Sequence, residues 1–422
     1  METFNENAII RFTNGQVAHI DRLLGSGGQG MVYMVEVDGE KFALKWYKRM
    51  PSDNFIQNLR KNIEEGSPSP MFLWPQAITK TRFGSVGYLM PLKPEGYEEF
   101  SKFRLAKVRF ASFRAILTAA IETCEAFKIL HAKGLSYQDL NDGGFFIDPT
   151  TGHVRICDCD NVFPHGEASG VLGKTRYMAP EVVQRKTMPN SYTDRFSLAM
   201  VLFMFFCIDH PFEGANVLRC PCLTEALEQK LFGDNICFIY DNDRSFNRPV
   251  RGVHHNALMM WPLLPELLRE TFQTEFSEEK ITHPENRITE MQWIDILVRC
   301  RNLLGLCPHC GAEAFAGAQC MNPQCKGDVT GGNTLQSPKF SIPMLLGQQL
   351  SLGNGNDIDA RVLRKGGATP VLLLQNMTAN AWTAHTVSGK EIEISPKGFV
   401  PIKAGLRLDA VIGDAHTELR FK

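Results

Sequence analysis

A glycine-rich loop in this chain leads into strands where a helix might have followed. Gly25-Ser26-Gly27-Gly28-Gln29-Gly30 is a G-x-G-x-x-G stretch, and in a dinucleotide-binding fold that string opens a helix. Here Met31-Val32-Tyr33-Met34-Val35-Glu36-Val37 comes next, rich in the apolar and β-branched types that suit a pleated sheet. Asp38-Gly39 is a hairpin turn signal, and a third strand is predicted over residues 41–47. Strand period two puts Ala43 and Lys45 on one face and Phe42, Leu44 and Trp46 on the other. A small residue and a lysine then lie under the glycine loop. Successive backbone amides of such a loop can form a concavity that binds an anion, with the Lys45 ammonium on the strand beneath it.

The chain has 422 residues, room for two or three domains. At 44% hydrophobic and 22% charged residues its composition is that of an ordinary globular protein. A net charge of −1 leaves no basic excess to argue for nucleic acid or anionic lipid as a partner. The first residues, Met1-Glu2-Thr3-Phe4-Asn5-Glu6, are acidic and polar, unlike a secretory signal. The longest apolar run, Leu198 to Ile208, is short of the roughly 20 residues that span a bilayer. Twelve cysteines without an export signal read as reduced thiols, so a cytoplasmic location is expected.

Further along, residues 55–65 read as a helix with Phe55, Leu59 and Ile63 on one stripe, ended by Gly66 and Pro68. Tyr88-Leu89-Met90-Pro91-Leu92 reads as a strand running into a linker, and residues 113–133 as a long helix. Four strings follow in order: Leu135-Ser136-Tyr137-Gln138-Asp139-Leu140-Asn141-Asp142-Gly143-Gly144; Val154-Arg155-Ile156-Cys157-Asp158-Cys159-Asp160-Asn161; Met178-Ala179-Pro180-Glu181; and Asp194-Arg195-Phe196-Ser197-Leu198-Ala199. Asn286-Arg287-Ile288-Thr289 comes last.

Together these strings resemble the eukaryotic-type Ser/Thr protein kinases over roughly residues 17 to 303. The resemblance implies a bilobal fold of the α+β class in a domain of residues 1–303, with the N-lobe over about 17–92 and the C-lobe over about 93–303. It implies ATP and Mg²⁺ or Mn²⁺ as cofactors and a protein as substrate. It gives Asp139 the place of the aspartate that orients the acceptor hydroxyl and takes its proton. Asp158, 19 residues later, becomes the metal ligand. Lys45 would be held by Glu64, with Glu65 as competitor. Gly25, Ser26, Gly27, Gly28, Gln29 and Gly30 would cover the phosphates, and Val32, Ala43, Met90 and Leu92 would surround adenine. Asp194 would brace the catalytic loop, and Arg287 would pair with Glu181.

The chain also departs from the kinase pattern. Tyr137 stands for histidine. Gln138 stands for the arginine that clamps a phosphorylated activation loop. Asn141 stands for the lysine that touches the γ-phosphate, Gly144 for the asparagine that holds a second metal, Cys159 for phenylalanine and Asp160 for glycine. Asp160, with Asn161 or Asp142, is the proposed replacement metal ligand, because a hard cation takes oxygen ligands; a solvated loop residue is the alternative. Ser169, Thr175 and Tyr177 are candidate phosphosites, and Lys174 occupies a position where such kinases carry threonine. The retained Lys45, Asp139 and Asp158 favour a working kinase. Gly144 supports the rival, a nucleotide-binding pseudokinase that assembles partners as a scaffold. A small-molecule kinase is disfavoured by the intact segment at Glu181 and its partner Arg287.

Cys307-x2-Cys310 and Cys320-x4-Cys325 form a four-cysteine set in residues 304–329. Two tight turns bring four thiolates to one tetrahedral ion, a structural Zn²⁺. Residues 330–336 read as a linker. From 337 to 422, eight short runs alternate with turns and predict a β-sandwich. That layout resembles a forkhead-associated domain, although Gln348 follows Gly347 where the phosphothreonine-binding arginine would stand. The three modules in this order, with the run from Gly66 to Pro75 and the Cys-Asp-Cys-Asp-Asn loop, resemble bacterial kinases of tellurium-resistance-associated modules. That resemblance implies a metal-dependent Ser/Thr phosphatase and a von Willebrand A-type protein as cognate partners.

Overall fold

The computed structural model describes residues 4–170, 173–220, 222–325, 327–353, 355–366, 371–413 and 415–422. The N-terminal lobe is an antiparallel sheet of β1 (Ile9–Arg11), β2 (Val17–Ser26), β3 (Gly30–Val37), β4 (Glu40–Tyr47), β5 (Ala77–Ile78) and β6 (Gly87–Pro91), in the order β1-β2-β3-β4-β6-β5. The alternation along β4 divides the lobe into two cores. Leu44 and Trp46 pack with Ile20, Val35 and Leu89 on one face, and Ala43 and Tyr47 with Ile78 and Met90 on the other. The second face is covered by α1 (Asp53–Glu65), which begins where the Ser52 side chain accepts the Phe55 amide and ends at Gly66, φ 76°. Phe55, Ile56 and Leu59 fill the gap between helix and sheet. Asn58 and Asn62 both donate to the Val162 carbonyl, at 2.7 and 2.8 Å.

The second lobe is mostly helical. The helix Phe113–Ala132 is capped by Ser112, and Ser191–Cys207 by Asn190 and Thr193 in a capping box. The latter is buried almost all round from Thr193 to Cys207, as its unbroken apolar run requires. Glu181 and Arg287 form a two-pronged pair at 2.7 and 2.8 Å beneath it. Two short ladders then fix the loops that matter. Leu135–Ser136 pairs with Phe163–Pro164, and Phe145–Ile147 with Val154–Ile156. Segments 137–144 and 157–162 are therefore clamped at both ends, side by side.

A hairpin of Leu304–Leu306 and Glu313–Phe315 carries the first cysteine pair. It rests on the helical lobe: the Phe113 and Phe315 rings meet edge-on at 5.4 Å, and Phe113 N donates to Glu313 Oε2 at 2.8 Å. The C-terminal region is two antiparallel sheets of six and four strands around one core that includes Leu350, Val362, Trp382 and Leu408. One expectation needs correction. The segment 330–336 is no free linker, because Thr334–Gln336 pairs with both Ser341–Pro343 and the last strand, Ala415–Phe421. Leu335 is its one fully buried side chain, too little apolar pattern to read as a strand in sequence.

Gln348 locks this region to the helical lobe. Wholly buried, it accepts the Leu345 amide at 2.7 Å and donates to the carbonyls of Asn302 and Pro343 at 2.9 and 2.8 Å. Asn302 in turn exchanges two bonds of 2.8 Å with the Ser351 backbone. Gln348→Leu strands buried amide and carbonyl groups at this junction, each costing about 1–3 kcal/mol. The expected outcome is faster protease cleavage near residue 330 and a lower melting temperature.

Candidate active site

Behind the glycine loop, β3 and β4 pair along their whole length. Gly30 faces Tyr47 and Val32 faces Lys45 across the β3–β4 pair. A side chain at Gly30 would lie 2.6 Å from the Trp46 carbonyl oxygen, so the close approach of two strands demands glycine there. Gly25, Gly27 and Gly28 face open space, and the Lys48 ammonium donates to the Gly27 carbonyl. Val32, Ala43, Met90 and Leu92 belong to one apolar cluster on the Lys45 face.

Lys45 is where the structure departs from expectation. Glu64 is exposed, because the helical face that meets the site carries Asn58 and Asn62. The lysine ammonium instead contacts both oxygens of Asp160 at 3.0 Å and Asp158 Oδ1 at 3.1 Å. Tyr47 and Tyr88 donate their hydroxyls to Asp160 at 2.6 and 3.1 Å. Burial would strip the charge from Lys45, but Asp160 and Asp158 outweigh it and raise its pKa. Tyr47 and Tyr88 are pushed up by burial and then by the Asp160 charge, so both remain donors.

This arrangement corrects two sequence expectations. Glu64 does not hold Lys45. Asp160 is not a metal ligand in this arrangement, since a carboxylate offers about four lone-pair sites and all are taken by Lys45, Tyr47 and Tyr88. Nor is Asp160 a solvated loop residue, as its exposure is 0%. Asp142 is held by Arg104 at 2.5 Å. Asp158 has a side chain 44% exposed and a left-handed backbone, φ 57° and ψ 36°, a strained conformation of the kind found at functional sites. Asp158 thus leaves part of its carboxylate open to solvent on the Lys45 side of the glycine loop.

Two departures in the catalytic loop form one structural unit. A side chain at Gly144 would meet the Tyr137 hydroxyl at 3.2 Å, and that hydroxyl donates to the Cys157 carbonyl. Tyrosine at 137 thus fills the room that a larger residue at 144 would need. Asp194 accepts the amides of Tyr137 and Gln138 at 2.6 and 3.0 Å, bracing the loop from below. His131 links Asp194 to Glu290 at 3.1 and 2.9 Å. Burial lowers the His131 pKa, but the two carboxylates prevail and hold it at about 9.

Gln138, at φ 70°, donates to Ser136 Oγ and the Glu167 carbonyl and accepts the Ser169 amide at 3.0 Å. A neutral amide therefore ties the activation segment directly to the loop. Of the candidate phosphosites, Tyr177 is buried with its hydroxyl on Arg104, Ser169 is buried and Thr175 is half-buried. Asp139 is partly exposed. Its pKa is pushed up to about 6 by burial and by Asp158, against Lys174, the Asn141 amide and Lys45.

The second cluster is Cys307, Cys310, Cys320 and Cys325, whose sulfurs all lie within 4.8 Å of one another. Cys307 and Cys325 are 3.8 Å apart, and Cys310 and Cys320 3.5 Å. Tetrahedral Zn–S bonds of about 2.3 Å require sulfurs about 3.8 Å apart, so the set fits zinc.

Removing the Asp160 charge leaves a buried ammonium short of a partner, a loss of about 3–5 kcal/mol. Asp160→Asn is expected to lower stability accordingly in urea unfolding, while Glu64→Gln leaves it unchanged. Equal effects of the two substitutions would contradict the geometry.

The chain is similar in sequence to known protein kinases. The protein kinase domain model matches residues 18–231, just over half of the chain. Mouse protein kinase C delta type is 29% identical over 203 residues, which is 46% of this chain and 29% of that protein. Yeast cAMP-dependent protein kinase type 3 is 28% identical over 223 residues, 50% and 54% of the two chains. Protein kinase YegI of Escherichia coli is 24% identical over 320 residues, 70% of this chain and 46% of that protein. This chain therefore spans between about a third and a half of the length of the curated relatives it matches. With a kinase-domain match over half its length, the chain belongs to the protein kinase family.

Proposed function

We propose that this chain is an ATP- and Mg²⁺-dependent protein kinase that phosphorylates Ser or Thr hydroxyls of a partner protein or of itself. The observation that carries the reading is the Lys45–Asp158 pair at 3.1 Å beside a partly exposed Asp139. Lys45 would hold the phosphates, with the loop from Gly25 to Gly30 over them and Val32, Ala43, Met90 and Leu92 around the base. Asp158 would hold Mg²⁺ or Mn²⁺, which when bound neutralises charge on the transferring phosphoryl group. Asp139 would orient the acceptor hydroxyl and take its proton. The Asn141 amide donates to both the Asp139 carboxylate and its carbonyl, at 3.2 and 2.9 Å, and fixes the aspartate for that task. Catalysis of this kind is positioning plus electrostatics.

Gly144 favours the scaffold alternative, because no side chain at that position can hold a second metal. Against it stands a charged Lys45 fixed beside Asp158. The E. coli relative, named a protein kinase, is matched over 70% of this chain, beyond the kinase domain model. The four thiolates would hold one structural Zn²⁺ with no open coordination position. The C-terminal sheets would serve as a docking module of forkhead-associated layout. Gln348 is buried in the junction, so phosphothreonine recognition through that position is left out. In a bacterial signalling module, a metal-dependent Ser/Thr phosphatase and a von Willebrand A-type protein would be cognate partners. Among the described residues no helix is long and apolar enough to cross a membrane.

Intact mass after incubation with ATP and Mg²⁺ or Mn²⁺ tests the activity. Wild type should gain phosphate units and Asp139→Asn none. No gain by wild type, alone or with candidate protein acceptors, while ATP still raises the melting temperature, would favour the scaffold. The metal reading predicts about one zinc per chain by elemental analysis, with loss of zinc and a lower melting temperature after chelation.

A further inference from the structure

We propose that Lys174 supplies the cation that binds the γ-phosphate of the nucleotide, taking over from the activation segment a task that no residue of the catalytic loop can perform here. The inference rests on the kinase reading above and names a further residue of that site.

Charge at the mouth of the site motivates it. Asp139, Asp142 and Asp158 place three carboxylates on the two clamped loops. Two of the cations around them are already committed. Lys45 is buried on Asp158 and Asp160, and Arg104 holds Asp142 at 2.5 Å. Asn141 and Gly144 offer no positive charge and no carboxylate. A transferring phosphoryl group brings further negative charge, which one metal ion at Asp158 would meet only in part. Lys174 is the cation whose charge is least neutralised: its side chain is 59% exposed, its ammonium is held by the neutral Asn141 amide and the Tyr177 ring face, and its paired carboxylate oxygen, on Asp142, is 3.7 Å away.

Its position is fixed from two sides. Lys174 Nζ donates to Asn141 Oδ1 at 2.8 Å. The same Oδ1 accepts the Gly143 amide at 3.0 Å, which sets the amide so that its NH₂ meets Asp139. Asn141 is thus a bridge, with Asp139 on one end and the Lys174 ammonium on the other. The backbone before the lysine is fixed independently. Gly173 has φ 85°, and a side chain there would meet the Asp139 carboxylate at 2.9 Å. Only glycine lets the segment run this close, and the next residue then delivers its ammonium beside the catalytic loop. An asparagine in the loop and a lysine on the facing segment place a cation where a loop lysine would otherwise put one.

The test is a comparison of ATP with ADP, which differ by the γ-phosphate. Isothermal titration of each with Mg²⁺ is run on wild type, Lys174→Met, Lys174→Gln and the double variant Lys174→Met with Asn141→Lys. Wild type should prefer ATP. Both single variants should lose about tenfold in ATP affinity, the size of one charge-assisted bond, with ADP affinity unchanged as the control for folding. Lysine restored at 141 should recover the preference. The same ATP-to-ADP ratio in wild type and Lys174→Met, or no ratio in wild type, overturns the role of Lys174. Intact mass read in parallel separates the two readings. A lost ratio with no transfer by wild type keeps Lys174 as a phosphate ligand and removes the kinase reading. Transfer with an unchanged ratio does the reverse.

Discussion

Everything at this site depends on one buried carboxylate. Asp160 has no exposed surface, and both its oxygens are occupied by Lys45, Tyr47 and Tyr88. A lone buried ion would cost far more than it returns, but here each lone pair meets a donor. The cluster ties β4, β6 and the turn after Asp158 into one block. Because Asp160 is two residues from Asp158, the group that orients the lysine and the exposed carboxylate beside it move together.

The residues around that block fit together as sets. Tyr137 and Gly144 share one space: the hydroxyl that reaches Cys157 leaves no room for a bulky neighbour. With Asp160 on Lys45, the inward face of α1 carries Asn58 and Asn62, which bind a carbonyl instead of a lysine. Gln138 bonds the backbone at Glu167 and Ser169 without a charge to satisfy. Tyr137, Gln138, Gly144 and Asp160 look unrelated when read along the sequence, and in the structure each meets a neighbour that fits it.

Sequence revealed what local pattern controls. The glycine loop, the strand alternation at Ala43 and Lys45, the Asp194 brace and the Glu181–Arg287 pair all rest on short motifs with fixed spacing, and their geometry follows. Helix α1 was visible from its stripe, with an N-terminus earlier by two residues because the Ser52 cap lies outside the apolar period. The partner of Lys45 was not legible. Glu64 has the right charge at a workable distance along the chain, but rotation about a helix decides which residue faces inward, and here that face carries asparagines. Asp160 reads as a loop acid in sequence, since burial by Tyr47 and Tyr88 comes from strands far away in the chain. The strand Thr334–Gln336 was likewise hidden, because its partners lie at the far C-terminus.

The same logic bears on how such a site is kept assembled. Where a glutamate on a helix holds the lysine, a rotation of that helix breaks the pair. Here the lysine's anchor belongs to the loop that also carries Asp158, so rotation of α1 alone does not separate them. Where an arginine awaits a phosphate, the activation segment is ordered only after modification. Here the amide of Gln138 supplies both a donor and an acceptor to that segment. The zinc-type hairpin and the C-terminal sheets are in turn fixed to the helical lobe through Phe113, Asn302 and Gln348. The placement of these modules relative to the segments that carry Asp139 and Asp158 is therefore set by buried bonds and not by a flexible tether.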